Sequence, residues 1–332
     1  MKRRLLALCA VTLSLLLGIP SAAFACGGLI AFRHAEVLGR ATTLAAWTNG
    51  LEHYITGFEF AGSADSFGYI IPLPAVPLKV VKGGDWTLER LEREAFPQRA
   101  LDRGGIELHA AAVPAPVEVL QHVKIDSLDI KVVRGGGRDV AKWARQHNFD
   151  LTPDADAVLA SYKANIFALA KFDSASASRR FTQGQGVVID FEIPLPGPWI
   201  PLRILSLGKV AVESVNAHLF LLTPTAPHLT PDPEDLRGMR VVHNDWASPE
   251  LIRDLRSDKG TQWVPEHMWF TALELSAPAP TVHYDLAGFK SIQPIAFPTR
   301  ESEAPWILVG AALAALVGGM IIRFRVHKSL SK

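Results

Sequence analysis

Two histidine–carboxylate pairs stand two residues apart in the chain: His243 with Asp245, and His283 with Asp285. Alternate residues of an extended segment share a face. Either pair can therefore act as two metal ligands, or as a base with the group that orients it. The bland alternative is a surface or hydrogen-bonded structural histidine. Ten histidines lie between residues 26 and 292, and no pair has the H-E-x-x-H or C-x-x-C spacing that puts two ligands on one metal. Glu266 and His267 are adjacent, so in a strand they point to opposite faces. No G-x-S-x-G, P-loop or G-x-G-x-x-G motif occurs. The Gly135-Gly136-Gly137 run lacks the Lys and Ser/Thr of a phosphate cradle and reads as a turn. The motifs call for no metal and no cofactor.

Two single residues join this set. Arg203 follows a Pro-x-Pro segment and is a candidate buried or groove arginine, against a solvated charge at a strand end. Cys26 follows Ala23-Phe24-Ala25, a small-x-small cleavage pattern. Cys9 leaves with the leader, so Cys26 is the one thiol of the mature chain. It is either lipidated, free, paired with another chain, or a small buried residue. Trp199, Trp263 and Trp269 lie near prolines, where they either fill the core or line a recognition groove.

The elements that must position these residues read as α+β, with mostly antiparallel sheets, a few helices and one C-terminal transmembrane helix. Leu29 to His34, Ala41 to Trp47, Glu52 to Phe60 and Phe67 to Ile71 have strand composition, with Thr48-Asn49-Gly50 as a hairpin turn. Asp85 stands where it would cap a helix carrying Leu88, Leu91 and Ala95 on one face, and Pro97 ends it. Strands follow at Val117 to Val123 and Leu128 to Val133. Helices follow over Asp139 to His147 and after Pro153. Further strands are expected at Ile166 to Phe172, Val187 to Ile193, Leu202 to Ser206, Val215 to Leu222, Val241 to His243 and Met268 to Leu275. A helix is expected at Pro249 to Leu255. Tyr69 to Pro74 echoes Phe191 to Pro196. The echo suggests two related halves, about 26–112 and 113–225, with a less regular part at 226–292. Chance strand-ending prolines explain the same echo.

The ends of the chain address location. Residues 1–25 open with Lys2-Arg3-Arg4, run apolar and finish at Ala25, as a signal peptide cleaved there would. Residues 293–304 read as a stalk. Residues 305–322 carry no charge and span roughly 27 Å as a helix, close to a bilayer core. Arg323, Arg325 and Lys328 lie in a basic tail, 323–332, so the positive-inside rule predicts a single-pass type I protein of the cell membrane with a cytoplasmic C-terminus. Gly310, Ala314 and Gly318 give the span one small-residue face suited to packing on another helix, a membrane partner's or a second copy's. Without the bookends the chain has 27 bases against 33 acids. That acidic balance argues against nucleic acid as a partner.

Four stretches carry a family resemblance: Ala25-Cys26-Gly27-Gly28; Asp65 to Pro77; Val117 to Leu120 through Trp143 and Phe149 to Tyr162; and Val188-Ile189-Asp190-Phe191 leading to Ile200-Pro201-Leu202-Arg203. In this order they resemble the bacterial domain-of-unknown-function family numbered 2330, over most of residues 26–225. The resemblance implies an exported bacterial protein, often with a C-terminal membrane segment, and brings no catalytic residues with it. Family members often carry more than one early cysteine, so a cysteine-pairing role is not carried over. The sequence thus reads as a binding or assembly module of the cell envelope. The alternative is an extracytoplasmic hydrolase whose histidine and carboxylates meet only in the fold.

Overall fold

The computed structural model describes residues 28–31, 41–58, 67–97, 117–126, 128–149, 151–172 and 187–288. The leader 1–25, Cys26, the stalk 293–304, the 305–322 span with Gly310, Ala314 and Gly318, and the 323–332 tail lie outside the described residues. Among the described residues no helix is long and apolar enough to cross a membrane.

The described part is α+β, and all but one of its strand pairings are antiparallel. One sheet has seven strands, in the order β12 (Met239–Trp246), β13 (Trp269–Pro278), β11 (Ser214–Thr223), β2 (Ala41–Thr48), β3 (Leu51–Phe58), β9 (Val187–Pro194) and β5 (Lys79–Lys82). Its single parallel pair is β11 with β2. A second sheet has five strands: β1 (Gly28–Ala31), β4 (Phe67–Leu73), β8 (Ile166–Phe172), β7 (Leu128–Arg134) and β6 (Glu118–Ile125). A short ribbon joins β10 (Trp199–Ile200) to β14 (Leu286–Ala287).

Alternation decides what each sheet face covers. In the seven-stranded sheet Ala45, Tyr54, Phe191, Leu219 and Leu273 point one way, into the larger apolar cluster that also takes the five-stranded sheet. Leu44, Ile55, Phe220 and Phe270 point the other way, against α1 (Thr87–Ala95) and α4 (Pro249–Ser257). Both helices bury leucines at helical spacing: Leu88 and Leu91 from α1, Leu251 and Leu255 from α4. The five-stranded sheet carries α2 (Gly137–Gln146) and α3 (Ala155–Ala160), whose Val140, Trp143, Ala144 and Leu159 belong to the larger cluster. Gly137 is needed where these helices meet. A Cβ there would lie 2.1 Å from the Leu159 carbonyl carbon.

Two sequence expectations are corrected. Leu202 to Ser206 is no strand: Arg203–Ser206 forms a 3-10 turn, held where Asp285 accepts the N–H groups of Leu202 and Arg203. The carboxylate that caps α1 is that of Asp258, not Asp85. Asp258 accepts from the backbone N–H of Asp85 and Trp86 and from the Thr87 hydroxyl. Strand β5 carries no clear apolar alternation, since its exposed lysines, Lys79 and Lys82, mark a sheet edge. The echoing segments fall in different sheets, β4 in one and β9 in the other; each sheet holds strands from both suggested halves, and in the seven-stranded sheet they interleave.

Candidate functional site

Three buried polar clusters tie this fold together. The first forms where the 3-10 turn after β10 meets the chain before β14. Asp285 Oδ1 accepts from Leu202 N–H at 2.9 Å, Arg203 N–H at 3.1 Å and the Tyr162 hydroxyl at 3.3 Å. Its Oδ2 lies 3.8 Å from Arg203 Nη2. Arg203 also donates from Nε to the His283 carbonyl and from Nη1 to the Ser161 carbonyl, with its guanidinium 5.1 Å from the Tyr162 ring centre. Burial pushes the Asp285 carboxyl up, against the pull of Arg203 and the two N–H groups. Burial, then the Asp285 charge, pushes the Tyr162 hydroxyl well above its usual range.

Two candidates read separately from the sequence, Arg203 and Asp285, therefore meet. His283 joins them through its backbone only, and its side chain is exposed. His283 and Asp285 make no ligand pair here. His243 and Asp245 do share the α4-side face of β12, opposite Ala272 and Phe270. No hydrogen bond joins them: the His243 ring packs 5.0 Å from that of Phe270 with Nε2 buried and without a hydrogen-bond partner, and Asp245 Oδ1 accepts from Trp246 N–H.

The second cluster crosses the seven-stranded sheet in register. Arg240, Glu274, His218 and Thr42 are direct neighbours on β12, β13, β11 and β2. The fully buried His218 has Nδ1 2.7 Å from both carboxylate oxygens of Glu92 on α1, and Nε2 3.8 Å from Glu274. Its ring stacks on Phe96 at 3.8 Å, Thr42 donates to Glu92, and Arg240 holds Glu274. The effect is to fasten α1 to the sheet.

The third cluster joins β3 to β9. His53 Nδ1 lies 2.8 Å from Asp190 Oδ2, and the His53 ring stacks on Trp263 at 3.5 Å. Burial raises the Asp190 carboxyl, and His53 pulls it back. On the opposite face of β3, fully buried Glu52 accepts Trp199 N–H at 2.5 Å, and its other oxygen has no hydrogen-bond partner. Burial pushes the Glu52 carboxyl well above the ordinary range.

The sequence reading passed over His53, Asp190, Glu92 and His218 as site residues. His53 and Asp190 are 137 residues apart, and only the β3–β9 register brings them together. A usable sign was a charged residue between two large apolar ones in a strand, as Asp190 is between Ile189 and Phe191. Of the three tryptophans near prolines, Trp199 is buried while Trp263 and Trp269 are half-exposed. Among the described residues no three His, Cys, Asp or Glu side chains are arranged to hold a metal.

No protein-family model matches the chain, and no curated protein matches it. Solved structures of baculovirus P35 align with much of it. A mutated P35 after caspase cleavage, at 3.1 Å resolution, gives a TM-score of 0.40 at 6% identity, over 76% of this chain and 100% of that one. A second such structure, at 2.7 Å, gives 0.40 at 8% identity, over 75% and 100%. Another crystal structure of baculovirus P35 gives 0.37 at 9% identity, over 75% and 96%. At that similarity neither fold nor function transfers.

Proposed function

We propose that this chain is an exported bacterial envelope protein of the kind its family resemblance implies. Its leader is cleaved after Ala25, residues 305–322 hold it in the membrane as a type I protein, and the segment between is a binding or assembly module. The observation that carries the binding reading is how the ionisable groups are used. Arg203–Asp285, Glu92–His218 and Asp258 each join segments 80 or more residues apart, with their hydrogen bonds directed inside the fold. Groups so used stiffen a scaffold and leave recognition to its surface. The test is cross-linking capture in cells with the full chain, beside a version ending at Ala304. Capture of a defined membrane partner by the full chain alone supports the reading; capture of nothing specific by either form counts against it.

One observation favours the hydrolase alternative. A buried carboxylate 2.8 Å from a histidine Nδ1 is the geometry of a base and its orienter, and His53 with Asp190 has it. Hydrolysis of envelope polymers by the purified chain, abolished by His53→Gln, would establish that reading in place of the first.

A further inference from the structure

At the far edge of the seven-stranded sheet, Trp246 ends β12 and is 53% exposed, the one aromatic among the most exposed large apolar side chains of the described residues. It stands opposite Trp269 of β13, and the two indoles meet edge to face, with centroids 5.4 Å apart. Asn244, two residues earlier on the same face, stands opposite Thr271 of β13. Its Oδ1 accepts from Trp269 Nε1 at 2.8 Å and from Thr271 Oγ1 at 3.0 Å. An indole nitrogen only donates, so the oxygen side of the amide must face it. The amide N–H groups of exposed Asn244 are thereby left on the side away from these two donors, near the exposed Trp246. The same row continues across the sheet: Thr223 pairs with Trp269, and the parallel β11–β2 register, Leu222 beside Ala46, carries half-exposed Trp47 alongside Thr223. Trp47 then stands about 10 Å from Trp269, two strand spacings away. Its indole N–H is fixed on the Leu195 carbonyl.

We infer that this strip, centred on Trp246, Trp269 and Asn244, binds a neutral saccharide. A pyranose face presents C–H bonds of partial positive charge, which suit the electron-rich face of an indole. Its rim presents hydroxyl, ether or N-acetyl oxygens, which accept from the fixed Asn244 amide. A free anion has no cation to meet among these three side chains. The inference deepens the binding-module reading by naming a ligand class.

The test uses the purified full chain in detergent with chitotetraose, a neutral chain of N-acetylglucosamine, read by tryptophan fluorescence and calorimetry. Saturable binding is expected. It should weaken roughly tenfold or more in Trp246→Ala and in Asn244→Asp, and stay unchanged in Val212→Ala, a control at a distant exposed site. Asn244→Asp keeps the acceptor for Trp269 and Thr271 and exchanges the amide donors for a charged carboxylate oxygen that cannot donate, and an unchanged melting temperature checks that the fold survives. No binding by the wild type, or equal binding by the variants, overturns the inference. So does binding of decaproline through Trp246 in place of the sugar, which assigns the strip to polyproline recognition. The measurement involves no cellular capture, so its failure leaves the anchored-module reading standing on its own test.

Discussion

Asp285 engages Arg203 at two levels. One carboxylate oxygen accepts the Arg203 backbone N–H at 3.1 Å, and the other lies 3.8 Å from the Arg203 guanidinium. The same aspartate thus sets the backbone turn at 203–206 and faces the charge that turn delivers.

Removing one partner of this pair leaves a charge or its hydrogen-bonding atoms buried without compensation. Arg203→Met should destabilise the fold by about 3–5 kcal/mol, the usual scale for breaking a buried pair from one side. Asp285→Asn should also destabilise, since its amide N–H2 would face the guanidinium. The double variant should cost less than the sum of the singles. Denaturant unfolding of all four forms measures this coupling, and strict additivity would show that the pair contributes nothing beyond its separate parts.

The α1 start makes a second case. A Cβ on Gly84 would lie 2.1 Å from Thr87 Oγ1 and 2.3 Å from Asp258 Oδ2, inside the cap that Asp258 forms. Gly84→Ala must therefore push that cap apart. Asp258→Ala strips the acceptor from two backbone N–H groups and a hydroxyl, a loss of about 2–3 kcal/mol for charge-assisted bonds. Hydrogen exchange should show both variants losing protection over residues 87–95 first. Unchanged protection in both would remove Asp258 as the cap.

Those two cases show where sequence reading succeeds and stops. The Asn49-Gly50 hairpin was legible because Asn-Gly suits a two-residue type I′ turn, which demands positive φ at both positions, and the backbone has 51° and 78° there. Strands β7 and β8 were legible because the alternation of one and the short continuous apolar run of the other are local. The cap of α1 was not, because its carboxylate comes from 171–173 residues further along, and Asp85 occupied the position that local rules favour. Arg203 and Asp285 could each be singled out by type. Their meeting, and that of His53 with Asp190, depends on sheet order and chain crossings that no short window contains.

Glu52 gives the pH dependence its sign. Burial raises its carboxyl in the fold, with the Trp199 N–H opposing and the Asp190 charge adding to the rise. A carboxyl whose folded pKa lies above its unfolded value, about 4.3, favours the folded state while it stays protonated. That contribution is complete below the unfolded pKa and is lost as pH rises through the folded one. Asp190 and Asp285, also raised, act in the same direction. Glu52→Gln keeps an acceptor for Trp199 and cannot ionise. Its melting temperature should therefore change less than that of the wild type between pH 5 and 8, and the variant should gain on the wild type as pH rises. Thermal unfolding of both across that range decides it: parallel curves would mean that Glu52 carries the same protonation in the folded and unfolded states there.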